Sequence, residues 1–107
     1  MYKRQSLALV KREQPTSEGP MDFLALDKNG FHVVIEVKIT ADDSAVTQLR
    51  RYMRAFRKDN VSAEKIRGII LAESFLKRCI DDIDDLKSHG HNIGLFKCRK
   101  KFGFEQV

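Results

Sequence analysis

The sequence predicts an α/β fold in which a mixed β-sheet of about five strands is flanked by two helices. Three observations carry this prediction. The chain opens with three short apolar runs, and a hairpin signal, Asp27-Lys28-Asn29-Gly30, joins the second to the third. Two segments with helical spacing then alternate with further apolar runs. A hairpin pairs its strands antiparallel, whereas a strand–helix–strand unit needs a right-handed crossover and parallel pairing, so the sheet must be mixed.

Each element has a local reason. Residues 6–12, Ser-Leu-Ala-Leu-Val-Lys-Arg, read as the first strand, and residues 14–20, with two prolines and Gly19, as a turn. Residues 21–26 form the second strand. Residues 31–39 form the third, whose nearly continuous apolar run suits burial on both faces. Over residues 41–58, Ala45, Val46, Leu49, Tyr52, Met53 and Phe56 mark one helix face. Thr40 is the expected N-cap, with Asp42 and Asp43 in the first turn, where negative charge suits the helix dipole. Residues 66–72 are the fourth strand. Ser74 is the expected cap of a second helix striped by Phe75, Leu76, Cys79, Ile80, Ile83 and Leu86 and ended by Gly90. Residues 92–98 are the fifth strand, and residues 102–107 are a candidate sixth.

Composition narrows the function classes. At 107 residues the chain is one domain's worth, and 42% hydrophobic residues is too apolar for a disordered chain. A net charge of +5 suggests a polyanionic partner without identifying it. Cys79 and Cys98 are too few for a disulfide scaffold and read as free thiols. No apolar stretch approaches the ~18 residues of a membrane span, and no signal core opens the chain, so a cytoplasmic protein with no membrane association is expected. No Gly-rich phosphate loop occurs.

Three charged residues interrupt strands that should be apolar: Asp22 in the second, Glu36 and Lys38 in the third. Buried charges are costly unless paired or metal-bound. Glu36 and Lys38 are two apart and share a face. A three-residue loop, Lys28-Asn29-Gly30, pairs Asp27 with Phe31 and sets Asp22 opposite Glu36, with Cβ atoms ~5 Å apart. Two carboxylates so close call for a cation, either Lys38 or, better, a divalent metal. A two-residue loop would slip this register by one. The competing reading is a structural Asp22–Lys38 salt bridge with Glu36 at a frayed strand end.

Gly19-Pro20-Met21-Asp22, followed after thirteen residues by Glu36-Val37-Lys38, resembles the PD-(D/E)XK nuclease signature. Gln48-Leu49-Arg50-Arg51-Tyr52 resembles the Gln-x-x-x-Tyr motif of its RecB-like branch. The likeness is greatest to the C-terminal nuclease domain of NucS-type endonucleases, through the Asp-Lys-Asn-Gly turn, the Arg-Tyr-Met segment and the Arg-Gly-Ile-Ile strand, from about Leu7 to about Phe96. The resemblance implies a restriction-endonuclease-like fold and metal-dependent DNA endonuclease activity, on branched, flapped or mismatched DNA. Asp22, Glu36 and the Val37 carbonyl would bind Mg²⁺ or Mn²⁺, Lys38 would orient and stabilise an ionised water, and Gln48 and Tyr52 would support the site from the helix. Gln48 and Tyr52 are i and i+4 and so stack on one helix edge; alone they read as a boundary glutamine and a core tyrosine.

The resemblance departs at the start. Only Met1 to Gln5 precede the first strand, so the family's N-terminal helix with its acidic residue has no counterpart here, nor has the NucS-type N-terminal DNA-binding domain. Either the chain is a fragment, or the site is weakened, or a partner supplies the missing parts, as a homodimer or an additional DNA-binding domain or subunit. Holliday-junction resolvases share the Gly-Pro-x-Asp…Glu-x-Lys pattern and are one alternative; a non-catalytic DNA-binding module that kept the fold is another. Arg50, Arg51, Arg54, Arg57 and Lys58 on the first helix, and Lys97, Arg99, Lys100 and Lys101 near the C-terminus, are the expected phosphate contacts, with solvated surface charge as the alternative. Asp81, Asp82, Asp84 and Asp85 read as a solvated face, His32 as structural, and His89-Gly90-His91 as a weak zinc signal.

Overall fold

The computed structural model describes residues 7–14, 21–60, 65–98 and 104–106. Most of the turn at residues 14–20 lies outside the described residues, as do Ser6, Phe102 and Val107 at expected strand ends and the basic residues Arg99, Lys100 and Lys101. One sheet runs in the order β1 (Leu7–Gln14), β2 (Met21–Asp27), β3 (His32–Ala41), β4 (Ile66–Phe75), β5 (Ile93–Cys98), β6 (Phe104–Gln106). The pairs β3–β4 and β4–β5 are parallel and the other three are antiparallel, which is the mixed sheet expected, with the short sixth strand completing it.

The first hairpin is built by one side chain. Asp27 Oδ1 accepts the backbone N–H groups of Asn29 and Phe31, each at 2.9 Å, and Gly30 takes φ +87°, the left-handed conformation that glycine adopts without penalty. Asp27 N donates to Phe31 O at 3.0 Å, so the loop has three residues. The register then runs from Leu26↔His32 to Phe23↔Ile35.

Two parallel crossovers carry helices α1 (Asp43–Asn60) and α2 (Lys77–Ser88) onto one face of the sheet. Leu49, Val46, Tyr52 and Phe56 of α1 and Cys79 and Ile83 of α2 form a single core with Leu24, Val34, Ile70 and Leu95 of the strands. Ala25, Val33, Ile69 and Phe96 form a smaller cluster on the opposite face. Adjacent Val33 and Val34 thus serve different cores, which is why this run is apolar without alternation. The thiol of Cys79 is fully buried, which pushes its pKa up to about 11.

Gly68 of β4 passes directly beneath α1. A Cβ there would lie 2.6 Å from Met53 Sδ and 3.0 Å from Leu49 Cδ2. The Met53 tail can move, but Leu49 is fully buried. Gly68→Val is expected to destabilise the fold by about 1–3 kcal/mol through overpacking, read as a lowered urea midpoint with an unchanged m-value.

Both expected helix caps are corrected. Thr40 lies within β3 and Ser74 within β4; the strands pair Thr40↔Ser74 and Ala41↔Phe75, and the two hydroxyls meet at 3.2 Å. Extending the parallel ladder occupies these backbones, so each helix starts later than its sequence suggested. Asp42 immediately precedes α1, with Oδ1 accepting Ser44 N–H at 3.0 Å. Leu76 precedes α2 and supplies no side-chain cap. Gly90, at φ +87°, follows α2 as expected.

Candidate active site

The β2–β3 ladder ends in a fork. The register continued one residue past Phe23↔Ile35 sets Asp22 opposite Glu36. Beyond it, the Val37 N–H donates to Asp22 Oδ2 at 3.0 Å, so a side chain satisfies the backbone where the two strands part. Glu36 shares its strand face with Val34 and is therefore on the helix-covered side, only 2% exposed. Lys38 follows on the same face, its Nζ 3.4 Å from Glu36 Oε2. The lysine pairs with Glu36 and not with Asp22, and Glu36 is buried, so the frayed-end salt bridge does not form.

The electrostatics of this group are out of balance. Burial pushes the pKa of Glu36 above the usual carboxylate range; the charge of Asp22 pushes it the same way, and Lys38 only partly offsets them. Among the described residues no third His, Cys, Asp or Glu side chain joins the two carboxylates. Asp22, Glu36 and the adjacent Val37 carbonyl are nonetheless hard oxygen donors, and one or two carboxylates with several waters are the usual protein share of a Mg²⁺ site.

On α1, Gln48 Nε2 donates to Tyr52 Oη at 2.7 Å, and Tyr52 is buried in the core. Among the described residues no hydrogen bond joins this pair to Asp22, Glu36 or Lys38; it stands on the same side of the sheet as they do. An open groove beside Gln48 is lined by Asp43, Ser44, Thr47 and Arg51. Arg50 turns the other way, into a groove between the helices shared with Asp82 and Asp85. Arg54, Arg57 and Lys58 are exposed along α1, and Lys97 is exposed near the end of β5. The arginine that flanks Gln48 is thus Arg51. Helical angle separates it from Arg50, but only the packing of α2 shows which side is acidic.

Residues 4–88 match the Endonuclease NucS C-terminal domain. The chain belongs to that family. NucS relatives include Endonuclease NucS of Bifidobacterium animalis subsp. lactis, 42% identical over 66 residues, which are 62% of this chain and 28% of that protein. Endonuclease NucS of Methanopyrus kandleri is 42% identical over 71 residues, 65% of this chain and 26% of that protein. The chain therefore spans a fraction of the length of the NucS relatives it matches. Among solved structures, a repair endonuclease from Pyrococcus abyssi superposes with a TM-score of 0.68 at 30% identity, over 83% of this chain and 38% of that one. EndoMS in a complex with double-stranded DNA superposes with a TM-score of 0.71 at 26% identity, over 91% and 39% of the two chains. The restriction-endonuclease-like fold expected from the NucS resemblance is the fold observed.

Proposed function

We propose that this chain carries the hydrolytic site of a divalent-metal-dependent DNA repair endonuclease, acting on branched, flapped or mismatched DNA. The observation that carries the reading is Glu36, a carboxylate 2% exposed, set by the hairpin register opposite Asp22 and beside Lys38. A fold stabilised only by packing gains nothing from two facing carboxylates. The names and DNA complex of the NucS and EndoMS relatives support nucleic acid as the substrate.

The residues divide the work. Asp22, Glu36 and the Val37 carbonyl would hold Mg²⁺ or Mn²⁺. That ion would make water acidic enough to ionise near neutral pH and would offset charge building on the phosphoryl oxygens. Lys38, on the same face and 37% exposed, reaches from the buried carboxylate toward solvent, where it orients the attacking water and stabilises its negative charge. The water oxygen would bond to phosphorus as the phosphorus–oxygen bond to one sugar breaks; the attacking water would give its proton to solvent and the leaving sugar oxygen would take one from solvent. Gln48 and Tyr52, bonded to each other on α1, would support the site from the helix, and Arg51 in the groove beside Gln48 would neutralise a flanking phosphate. A second copy or a further DNA-binding domain completes the grip on the duplex.

Two measurements test the reading. Mg²⁺ or Mn²⁺ is expected to raise the melting temperature, because the ion binds only the folded carboxylate pair, and Asp22→Asn is expected to remove most of that shift. An equal shift in both proteins would place the ion elsewhere. In DNA binding, Arg51→Ala is expected to flatten the log–log salt slope by about 0.9, the share of one phosphate, while Arg50→Ala leaves it unchanged because Arg50 faces Asp82 and Asp85. Arg50→Ala flattening the slope instead would move the DNA path to the other side of α1.

A further inference from the structure

At the hairpin end of the sheet, five residues along β2 from Asp22 and so about 17 Å away, lies a cavity of about 370 Å³. It is lined by Asp27, Lys28, Phe31, Arg67, Lys87 and Asn92, with Gly94 and the buried Phe96 beneath. None of these residues has a place in the hydrolytic site.

The polar groups are arranged unevenly. Asp27 is heavily engaged: Oδ1 holds two backbone N–H groups and Oδ2 accepts Arg67 Nε at 3.1 Å. These bonds, with the Arg67 charge, hold its carboxyl below the usual range against the opposing effect of burial, so it stays ionised. Arg67 is thereby fixed across β3 through its Nε, and among the described residues no acceptor is bonded to its terminal nitrogens. Lys28 and Lys87 are exposed at the rim, and neither has a carboxylate partner among the described residues. Three cations thus line the cavity beside one carboxylate that already accepts three hydrogen bonds. Beside them the half-buried Phe31 ring carries the Lys65 ammonium 5.2 Å from its centroid, and Asn29 and Asn92 add carboxamides.

We infer that this cavity is a nucleotide-binding site, taking a phosphate on Arg67, Lys28 and Lys87 and a base against Phe31. A planar guanidinium whose terminal nitrogens bond no acceptor among the described residues suits a phosphate's paired oxygens, the Phe31 ring suits a base on the face that Lys65 does not cover, and the volume is that of a small-molecule pocket. The same chemistry is offered by a free mononucleotide and by an unpaired nucleotide of a DNA strand. Such binding is independent of the hydrolytic reading, since it is measured without metal and without cleavage.

The test is titration of the whole chain, in EDTA, with deoxyadenosine monophosphate, inorganic phosphate, deoxyadenosine and a short single-stranded oligonucleotide, followed by amide chemical shifts. The monophosphate is expected to shift Phe31, Arg67, Asn92 and Gly94, and to bind more tightly than phosphate or nucleoside alone. Lys87→Glu and Lys28→Glu, both at exposed positions that leave the Asp27–Arg67 pair intact, are each expected to weaken it about tenfold. Glu36→Gln is expected to leave it unchanged. An oligonucleotide that binds more tightly to the same residues identifies a DNA strand as the source; one that binds no better identifies a free mononucleotide. Absence of saturable binding at millimolar concentration, shifts centred on Asp22 and Glu36, phosphate binding as tightly as the monophosphate, or indifference to both charge reversals would each overturn the assignment.

Discussion

Glu36→Gln is expected to abolish cleavage and to make the metal-free protein more stable. The activity loss is at least about a hundredfold, because exchange of residues merely supporting a metal ligand already costs ~10–100-fold. The stability gain comes from the same burial. Glu36 carries its charge at 2% exposure opposite Asp22, with Lys38 at 3.4 Å as partial compensation. Glutamine keeps the shape and removes the buried charge, so the metal-free variant melts higher than wild type once pH exceeds the elevated folded value of Glu36. The pH dependence follows from the direction of the shift. The folded state holds the Glu36 proton more tightly than the unfolded chain does, so the associated stability is complete below the ordinary value near 4.5 and is lost as pH rises through the elevated folded value. Melting curves of the metal-free proteins should therefore diverge above that ordinary value, with the wild type falling and the variant flatter. A variant less stable than wild type throughout would mean that Lys38 already compensates the charge. A catalytic group that costs stability is the expected trade in such a site.

Lys38→Ala is expected to lower cleavage by about 10²–10³-fold, the usual loss when one group stabilising transition-state charge is removed. DNA affinity should change by no more than a few-fold, because the ammonium contributes at the transition state more than in the bound ground state. The metal-induced rise in melting temperature should survive, since the oxygen donors remain. This separates Lys38 from Asp22, whose replacement removes that rise. A single-turnover assay on flapped, mismatched, four-way and plain duplex DNA, beside a binding titration, reads both quantities. Cleavage within a few-fold of wild type would remove Lys38 from the chemistry and leave it as a structural partner of Glu36.

Much of this site can be read from the amino-acid sequence, because the signals that define it are local. Asp27-Lys28-Asn29-Gly30 specifies its own turn through bonds spanning two and four residues, and the turn fixes the register that sets Asp22 against Glu36. Period-two alternation puts Glu36 and Lys38 on one face, and an i, i+4 spacing puts Gln48 against Tyr52. The stripe from Ala45 to Phe56 needs only helical geometry.

Local sequence therefore accounts for the elements, the hairpin register and the two pairs of polar residues that share a face. Packing between distant segments sets where the helices begin, because β3 and β4 pair through Thr40↔Ser74 and so claim the residues that local preference assigned as caps. Packing also pairs Lys38 with Glu36, turns Arg50 toward Asp82 and Asp85 while Arg51 lies beside Gln48, and brings Arg67 to Asp27 across β3 from forty residues away. The difference is one of range. Backbone propensity and side-chain periodicity act over a few residues, whereas the partner of a charge or of a strand end is set by which segments the crossovers bring together.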